Sequence, residues 1–221
     1  MLAENVKHLN EFLKDKKCTL VAVTKTHSVD TLEEAYKLGI KVFGENKVQE
    51  MVAKYEVLPK DIAWHMIGHL QSNKVKYIAP FVSLIHSVDG LNLLKEINKQ
   101  AIKNERVIDC LLQIYIAQEE TKFGLGFDEA EEILASVEVK NMHNIRLVGL
   151  MGMASNTQDS NVIRQEFRNL KVFYDRLRPK NPHFQTLSMG MSSDYGIALE
   201  EGSNLIRVGS ALFGNRNYAT N

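Results

Sequence analysis

Lys25 stands at the end of a short apolar segment, residues 20–25 (LVAVTK), that is typical of a buried strand. Burying an ammonium group without a partner is costly, and the common result is a lowered pKa. A lysine with a lowered pKa in a sheltered site is a nucleophile that forms Schiff bases with aldehydes. The side chain could instead bend outward and keep its charged end in water, which is the more common outcome for a lysine at a strand end. The segment by itself leaves both interpretations open.

Small residues stand at the ends of two later apolar segments, LSMG at 187–190 and IRVGS at 206–210. Glycine and serine allow backbone N–H groups to approach an anion closely. Taken alone, Gly190 or Gly209 is more simply explained by a tight turn. Because both segments carry small residues, we favour a binding site for an anion such as phosphate.

The rest of the chain alternates regularly between short apolar segments and longer amphipathic segments. The eight apolar segments are residues 19–25, 41–46, 63–69, 83–88, 109–117, 145–153, 185–190 and 205–214. Strand followed by helix, eight times, is the pattern of a (β/α)8 barrel, although a doubly wound open sheet has the same alternation. The count of eight favours the barrel. We therefore predict an α/β fold, a single (β/α)8 TIM barrel, as one domain over residues 1–221.

Several amphipathic segments carry signals for the ends of helices. In TLEEAYKLG, Thr31 and Glu34 have the spacing of a capping box, and Gly39 follows at the position of a C-cap glycine. In DEAEEILASV, Asp128 is predicted to be the N-cap. The segment 161–177 places apolar side chains near one face of a long helix.

In a barrel of this type the site lies at the carboxyl ends of the strands, and phosphate binds at the loops after strands seven and eight. The predicted strand ends carry polar or small residues: Lys25, Asn46, His69, Ser188, Gly190, Arg207, Gly209 and Ser210. Lys25 would then face a phosphate site across the barrel mouth. The phosphorylated aldehyde that proteins most often hold through a lysine is pyridoxal 5′-phosphate. We predict that this cofactor joins Lys25 to the phosphate site.

The composition excludes several other classes of function. The 27 Lys and Arg residues balance 27 Asp and Glu residues, so no overall field attracts nucleic acid or an anionic membrane. Residues 1–18 have the spacing of an amphipathic helix and not of a signal peptide, and no stretch is apolar enough to span a bilayer. Cys18 and Cys110 lack the spacing of a disulfide framework or a metal site. We expect a cytoplasmic protein.

Seven motifs follow one another along nearly the whole chain: AVTKTH, FGENKVQE, WHMIGHLQSNK, EETKFG, GLMGM, LSMGMSSD and IRVGSALFG. These motifs closely resemble those of the pyridoxal phosphate homeostasis proteins, the YggS/PROSC-type family. The resemblance implies a barrel similar to the amino-terminal domain of alanine racemases. It also implies that the barrel binds pyridoxal phosphate covalently and buffers or delivers it, with no established catalysis. Apo forms of pyridoxal phosphate enzymes are the implied recipients.

The resemblance assigns roles to seven residues. It matches Lys25 to the Schiff-base lysine, Ser188, Gly209 and Ser210 to the phosphate ligands, Arg207 to the group facing the pyridine nitrogen, Asn46 to the ring pocket, and Met189 to packing beside the cofactor.

Arginine opposite the pyridine nitrogen has a chemical consequence. A guanidinium stays protonated and donates to the nitrogen, so the ring is a weaker electron sink than it is beside a carboxylate. Racemisation also needs an acid/base group on each face of the substrate carbon. The sequence continues only a short way past the eighth segment, so we expect no second domain to supply the other group, and Tyr195 and Tyr218 are more simply surface or packing residues.

We therefore favour a cofactor carrier. The alternatives are a pyridoxal phosphate-dependent amino-acid racemase and, less well matched, a Schiff-base aldolase.

Other polar residues have simpler explanations. His65 and His69 are separated by roughly 13 Å if both lie on one strand, too far to share a metal ion, so we expect no metal. Lys122 could be a second amine for the aldehyde or a solvated loop lysine. Lys74 and Lys76 are predicted to lie on a solvated helix face. A closed barrel leaves no sheet edge, so we expect a monomer.

Overall fold

Eight parallel strands close into a barrel in which each strand pairs with the next along the chain and β8 pairs with β1. We describe this fold from a computed structural model of the protein, which covers residues 1–118 and 123–214. The predicted (β/α)8 barrel is confirmed, and the open-sheet alternative is excluded because β1 and β8 are hydrogen-bonded partners.

The strands fall within or close to the predicted apolar segments. They are β1 Thr19–Val23, β2 Val42–Glu45, β3 Ala63–Met66, β4 Leu84–Val88, β5 Ile108–Ile114, β6 Ile145–Gly152, β7 Thr186–Ser188 and β8 Leu205–Val208. Several predicted segments continue past the strand end into a turn or a helix. The last segment shows this most clearly, because Ser210–Phe213 is helical.

In the described part of the chain, one helix precedes the first strand, others lie between successive strands, and one follows the last strand. They are α1 Leu2–Leu13, α2 Val29–Lys37, α3 Val48–Val57, α4 Val75–Ile78, α5 Leu91–Lys103, α6 Phe127–Ala135, α7 Val137–Lys140, α8 Ser160–Leu177, α9 Tyr195–Glu200 and α10 Ser210–Phe213, with 3-10 turns at Ser72–Lys74 and Arg178–Lys180. No helix within residues 1–118 and 123–214 has both the length and the apolar character needed to cross a membrane.

The ends of α2 show one wrong and one confirmed prediction. The N-cap is Ser28, whose Oγ accepts a hydrogen bond from the N–H of Thr31 at 3.3 Å. The predicted capping box of Thr31 and Glu34 is therefore wrong, because the helix begins before Thr31. Gly39 has a φ of +93°, the left-handed conformation expected of a glycine after a helix C-terminus.

The prediction that Asp128 caps α6 is also wrong. Leu125 forms a bridge to Ile114 of β5, and the chain enters the helix directly afterwards. Gly126 is the N-cap, and its N–H donates to Oε2 of Glu129 at 2.7 Å. The α8 helix begins one residue before the predicted segment, and its Asp159 cap accepts from the N–H of Asn161.

Apolar side chains form two cores. The larger core lies between the outer faces of the strands and the surrounding helices. The smaller core fills the barrel interior with Val21, Leu84, Leu111, Val148, Met151 and Leu205. Successive side chains of a strand alternate between the two faces, so Arg207, two residues after Leu205, points to the interior. This alternation determines which residues reach the mouth.

Candidate functional site

Lys25 lies in a turn immediately after β1, two residues beyond the strand end at Val23. The ladder continues as far as Thr24, whose N–H donates to the carbonyl oxygen of Gly44 at 3.0 Å. The turn closes when the N–H of His27 donates to the carbonyl oxygen of Thr24 at 3.1 Å. Lys25 is partly buried at this position. The turn thus places Lys25 at the carboxyl end of the barrel, where the sequence predicted it.

The end of β8 lies beside the end of β1. Val21 is the register partner of Arg207, and Ala22 is the partner of Val208. A Cβ atom added to Gly209 would be 3.4 Å from the Cβ of Val23. The predicted arrangement, with Lys25 across the mouth from the last loop, is therefore wrong, because barrel closure makes the first and last strands neighbours.

The hydroxyl of Ser192 accepts two backbone hydrogen bonds at the start of α10. The donors are the N–H of Gly209 at 3.0 Å and the N–H of Ala211 at 3.2 Å. Two N–H groups converging on one oxygen form the kind of arrangement that binds a phosphate oxygen. Ser210 lies between these donors in the chain. Ser192 belongs to the motif LSMGMSSD, but the sequence does not reveal which of its serines reaches these groups.

Ser188 has a different environment from the one predicted. It is fully buried, and its Oγ accepts a hydrogen bond from Nη1 of Arg207 at 2.5 Å. The same Oγ lies 3.0 Å from Nδ1 of His86. The hydroxyl is thus occupied within the barrel interior, which argues against its predicted role as a phosphate ligand and favours Ser192 for that role.

Arg207 is a buried cation, with only 3% of its surface exposed. Besides Ser188, it donates from Nη2 to the carbonyl oxygen of Gly152 at 3.1 Å. Burial lowers the pKa of Arg207 to about 10, and the nearby charge of Asp194 acts in the opposite direction. The guanidinium therefore remains charged at neutral pH and keeps further N–H groups to donate.

Met189 packs away from the mouth. Its side chain belongs to the larger core, outside the barrel interior, and its carbonyl oxygen accepts from Oγ of Ser203 at 2.7 Å. This position follows from strand alternation, because the neighbouring Ser188 points inward. Met189 therefore supports the loop after β7 and does not line the mouth with its side chain.

Two histidines extend the polar interior away from Arg207. Nδ1 of His65 lies 3.0 Å from Nε2 of His86, which in turn contacts Ser188. Burial lowers the pKa of His65 to about 4, and burial, together with the charges of His65 and Arg207, lowers the pKa of His86 well below its usual value. Both rings are neutral at neutral pH. A branched aliphatic layer is usual in a barrel interior, so this polar chain is a distinctive feature.

His69 has separate contacts beyond the end of β3. Its Nδ1 lies 3.2 Å from Oδ2 of Asp89, and its ring stacks on Phe123 with centroids 4.7 Å apart. Within residues 1–118 and 123–214, no three His, Cys, Asp or Glu side chains are placed to hold a metal ion.

Asn46 follows β2 at the mouth. Its Oδ1 is buried, and no described residue donates a hydrogen bond to it. The residue borders a cavity of about 220 Å³ that Lys74 and His69 also line. An unpaired acceptor beside a cavity is suited to a ligand with a hydroxyl or N–H group. Lys74 thus borders this cavity and does not lie only on a solvated face.

The remaining predicted residues contribute less. Tyr195, at the start of α9, packs edge-on against Phe12 with centroids 5.4 Å apart. Lys76 lies on α4, with Nζ 5.0 Å from the ring centroid of Tyr77. Lys122 and Tyr218 lie outside the described residues.

The closed barrel of eight parallel strands, with polar residues at its mouth, is the architecture of a (β/α)8-barrel domain, and a known domain family matches the sequence. Residues 1–217 match the family "Alanine racemase, N-terminal domain". Two curated relatives are named pyridoxal phosphate homeostasis protein. The one from Aquifex aeolicus is 41% identical over 90% of this chain and 87% of its own length. The one from Vibrio alginolyticus is 33% identical over 99% of both chains. The chain belongs to the pyridoxal phosphate homeostasis protein family.

A solved structure supports the same grouping. PipY of Synechococcus elongatus, determined with pyridoxal phosphate bound, superposes with a TM-score of 0.88. It is 32% identical, and the match covers 97% of this chain and 100% of PipY.

Proposed function

We propose that this chain binds pyridoxal 5′-phosphate at the carboxyl end of its barrel, holds it as a Schiff base on Lys25, and serves as a reservoir that supplies it to apo enzymes in the cytoplasm. The names of the relatives and the cofactor in the PipY structure support the choice of ligand. The rest of the proposal depends on the residues of the mouth.

The convergence of two N–H groups on the hydroxyl of Ser192 carries the proposal. Gly209 and Ala211 donate to an oxygen that stands where a phosphate oxygen would bind. Gly209 has a φ of −114°, which lies outside the left-handed region. The Oγ of Ser192 accepts from both N–H groups in this structure, so a bound phosphate oxygen would take its place as their acceptor. We assign the phosphate to Ser192, Gly209 and Ser210.

Two further groups fit the rest of the cofactor. Arg207 keeps free N–H donors and is suited to face the pyridine nitrogen, as the family resemblance implies. The unpaired Oδ1 of Asn46 can accept from a ring hydroxyl. When bound, the cofactor supplies an aldehyde that condenses reversibly with an amine, and Lys25 is the amine that the turn after β1 presents.

A reservoir fits this donor set better than an enzyme does. A guanidinium donates a hydrogen bond to the ring nitrogen but keeps its proton, so the nitrogen stays unprotonated. The ring then draws electrons less strongly than a protonated ring does. We therefore assign no catalytic residue to the site. Reversible binding and release are the expected behaviour.

The test is the absorbance spectrum of protein incubated with pyridoxal phosphate, followed by borohydride reduction and peptide mapping. We expect a visible band and a reduced adduct on Lys25, and a folded, colourless Lys25→Ala variant. Loaded protein should then restore the activity of an apo pyridoxal phosphate enzyme while it loses its own colour. An adduct found chiefly on another lysine contradicts the assignment of Lys25. Multiple-turnover racemisation of L- or D-amino acids that Lys25→Ala abolishes overturns the reservoir in favour of a racemase.

A further inference from the structure

Lys54 is a buried ammonium group beside the turn that carries Lys25. It lies on the inner face of α3 and exposes only 5% of its surface. Its Nζ donates to the carbonyl oxygen of Thr24, to Oε1 of Glu45 and to Oε1 of Glu50, each at 2.7 Å. All three protons of the ammonium therefore have an acceptor. We call Lys54, Glu45 and Glu50 the Lys54 cluster.

The Lys54 cluster is joined to the end of β1 by side-chain contacts as well. Oε1 of Glu45 also accepts from Oγ1 of Thr24 at 2.6 Å. Burial raises the pKa of Glu45, whereas the hydrogen bonds from Lys54 and Thr24 lower it. A buried ion pair of this kind contributes little net stability compared with well-packed apolar residues. Its presence therefore calls for an explanation other than stability.

The turn beside the Lys54 cluster has a strained conformation. Thr26 has a φ of +67°, which a β-branched residue rarely adopts. Its N–H donates to Oε1 of Glu50 at 2.6 Å. The same carboxylate oxygen thus accepts from both Thr26 and Lys54. The strained residue is held by the cluster directly.

These contacts fix both peptide groups of Lys25. The carbonyl oxygen of Thr24 belongs to the peptide bond before Lys25, and the N–H of Thr26 belongs to the peptide bond after it. The first is bound by Lys54 and the second by Glu50. The backbone of Lys25 is therefore clamped on both sides.

We propose that Lys54 and Glu50 are positioning residues that hold the Lys25 turn so that its amine meets the aldehyde of the cofactor. The inference rests on the proposed function, since it concerns the same condensation. A displacement of about 1 Å in a reacting group can lower a rate on the order of a hundredfold. Glu45 completes the clamp by anchoring Lys54 to the end of β2.

Two measurements separate positioning from general stability. The first is the affinity for pyridoxine 5′-phosphate, which carries the phosphate and ring but lacks the aldehyde. The second is the rate at which a borohydride-reducible adduct forms with saturating pyridoxal phosphate. The variants are Lys54→Met, which keeps the length of the side chain, Glu50→Ala, and Glu50→Gln, which keeps an oxygen acceptor. The control is Lys41→Met, because Lys41 pairs with Asp61 at 2.8 Å on the exposed surface.

We expect Lys54→Met and Glu50→Ala to form the adduct about tenfold more slowly or worse, with the affinity for pyridoxine 5′-phosphate unchanged within about twofold. Glu50→Gln and Lys41→Met should remain close to the wild-type rate. Wild-type adduct formation in both Lys54→Met and Glu50→Ala overturns the inference. An equal loss of analogue affinity and adduct rate also overturns it, because the cluster would then be merely structural. Failure of the wild-type protein itself to form an adduct on Lys25 contradicts the proposed function instead.

Discussion

Arg207 donates a hydrogen bond from Nη1 to Oγ of Ser188, and the two atoms are 2.5 Å apart in the barrel interior. The hydroxyl of Ser188 also contacts Nδ1 of His86, so a single oxygen joins the buried cation to the pair of buried histidines. Two serines of the motif LSMGMSSD therefore have different contacts. Ser188 orients Arg207, and Ser192 meets the backbone N–H groups after β8.

Replacing Ser188 tests the first role. Ser188→Ala leaves a charged donor of Arg207 unpaired in a buried site, which is expected to cost about 1–3 kcal/mol of unfolding free energy. Urea denaturation measures this loss. Ser193→Ala is the control, because Ser193 is exposed in the same loop. Unchanged stability in Ser188→Ala would show that the contact with Arg207 contributes nothing to the fold.

Replacing Ser192 tests the second role. Ser192→Ala removes a hydroxyl that can turn to donate to the phosphate, and a hydrogen bond to a charged group is worth about 1.5–3 kcal/mol. We expect roughly tenfold or greater weakening for pyridoxal phosphate, and little change for pyridoxal, which has no phosphate. Titration calorimetry with both ligands gives the ratio. A Ser188→Ala variant that loses phosphate discrimination while Ser192→Ala keeps it would reverse the assignment.

Replacement by alanine is expected to affect stability at Gly190 and phosphate affinity at Gly209. Gly190 has a φ of +100°, and an added Cβ would lie 2.6 Å from the Cβ of Ala198, so Gly190→Ala should lower stability by on the order of 2 kcal/mol or more. At Gly209 the nearest atom to an added Cβ is 3.4 Å away, so the fold should tolerate alanine. The new methyl group would instead obstruct the phosphate, and Gly209→Ala should lose most phosphate affinity at normal stability. Thermal unfolding and ligand titration together distinguish the two outcomes.

The buried histidines predict a loss of stability in acid. Burial lowers the folded-state pKa of His65 to about 4, whereas the unfolded pKa is about 6.5, so the unfolded state binds more protons between these values. Stability is therefore fully present above about pH 6.5 and falls as the pH decreases toward 4, by up to about 1.4 kcal/mol per pH unit for one such group.

Urea denaturation at several pH values measures this slope. His65→Gln should reduce it, whereas His8→Gln, at an exposed position of α1, should not. Comparing variants at each pH separates the histidine from the carboxylates that titrate in the same range. An equal slope in His65→Gln and wild type contradicts the prediction.

Sequence patterns predicted the barrel because its strands are regular apolar segments, and they predicted Lys25 and Gly209 at the mouth because strand ends carry the site in this fold. The family resemblance selected Ser188 and not Ser192, because the sequence alone does not show that Ser188 points into the barrel interior whereas Ser192, in the loop after β7, reaches the N–H groups after β8. Lys54 was not recognised because its three acceptors come from the end of β1, from β2 and from α3 itself. Partners brought together from separate elements leave no local pattern.

Because β1 pairs with β8, the site between these strands can form only late in folding. Lys25 follows the first strand and Gly209 follows the last, so the two halves of the site are among the most distant positions in sequence that the fold brings into contact. Contacts between residues so far apart in sequence have the greatest entropic cost of loop closure, and they therefore form late in folding. During synthesis, competence to bind a ligand at this seam therefore arrives only with the eighth strand. A ligand that contacts both β1 and β8 holds the first and last strands together, and its binding free energy adds to the stability of the closed barrel.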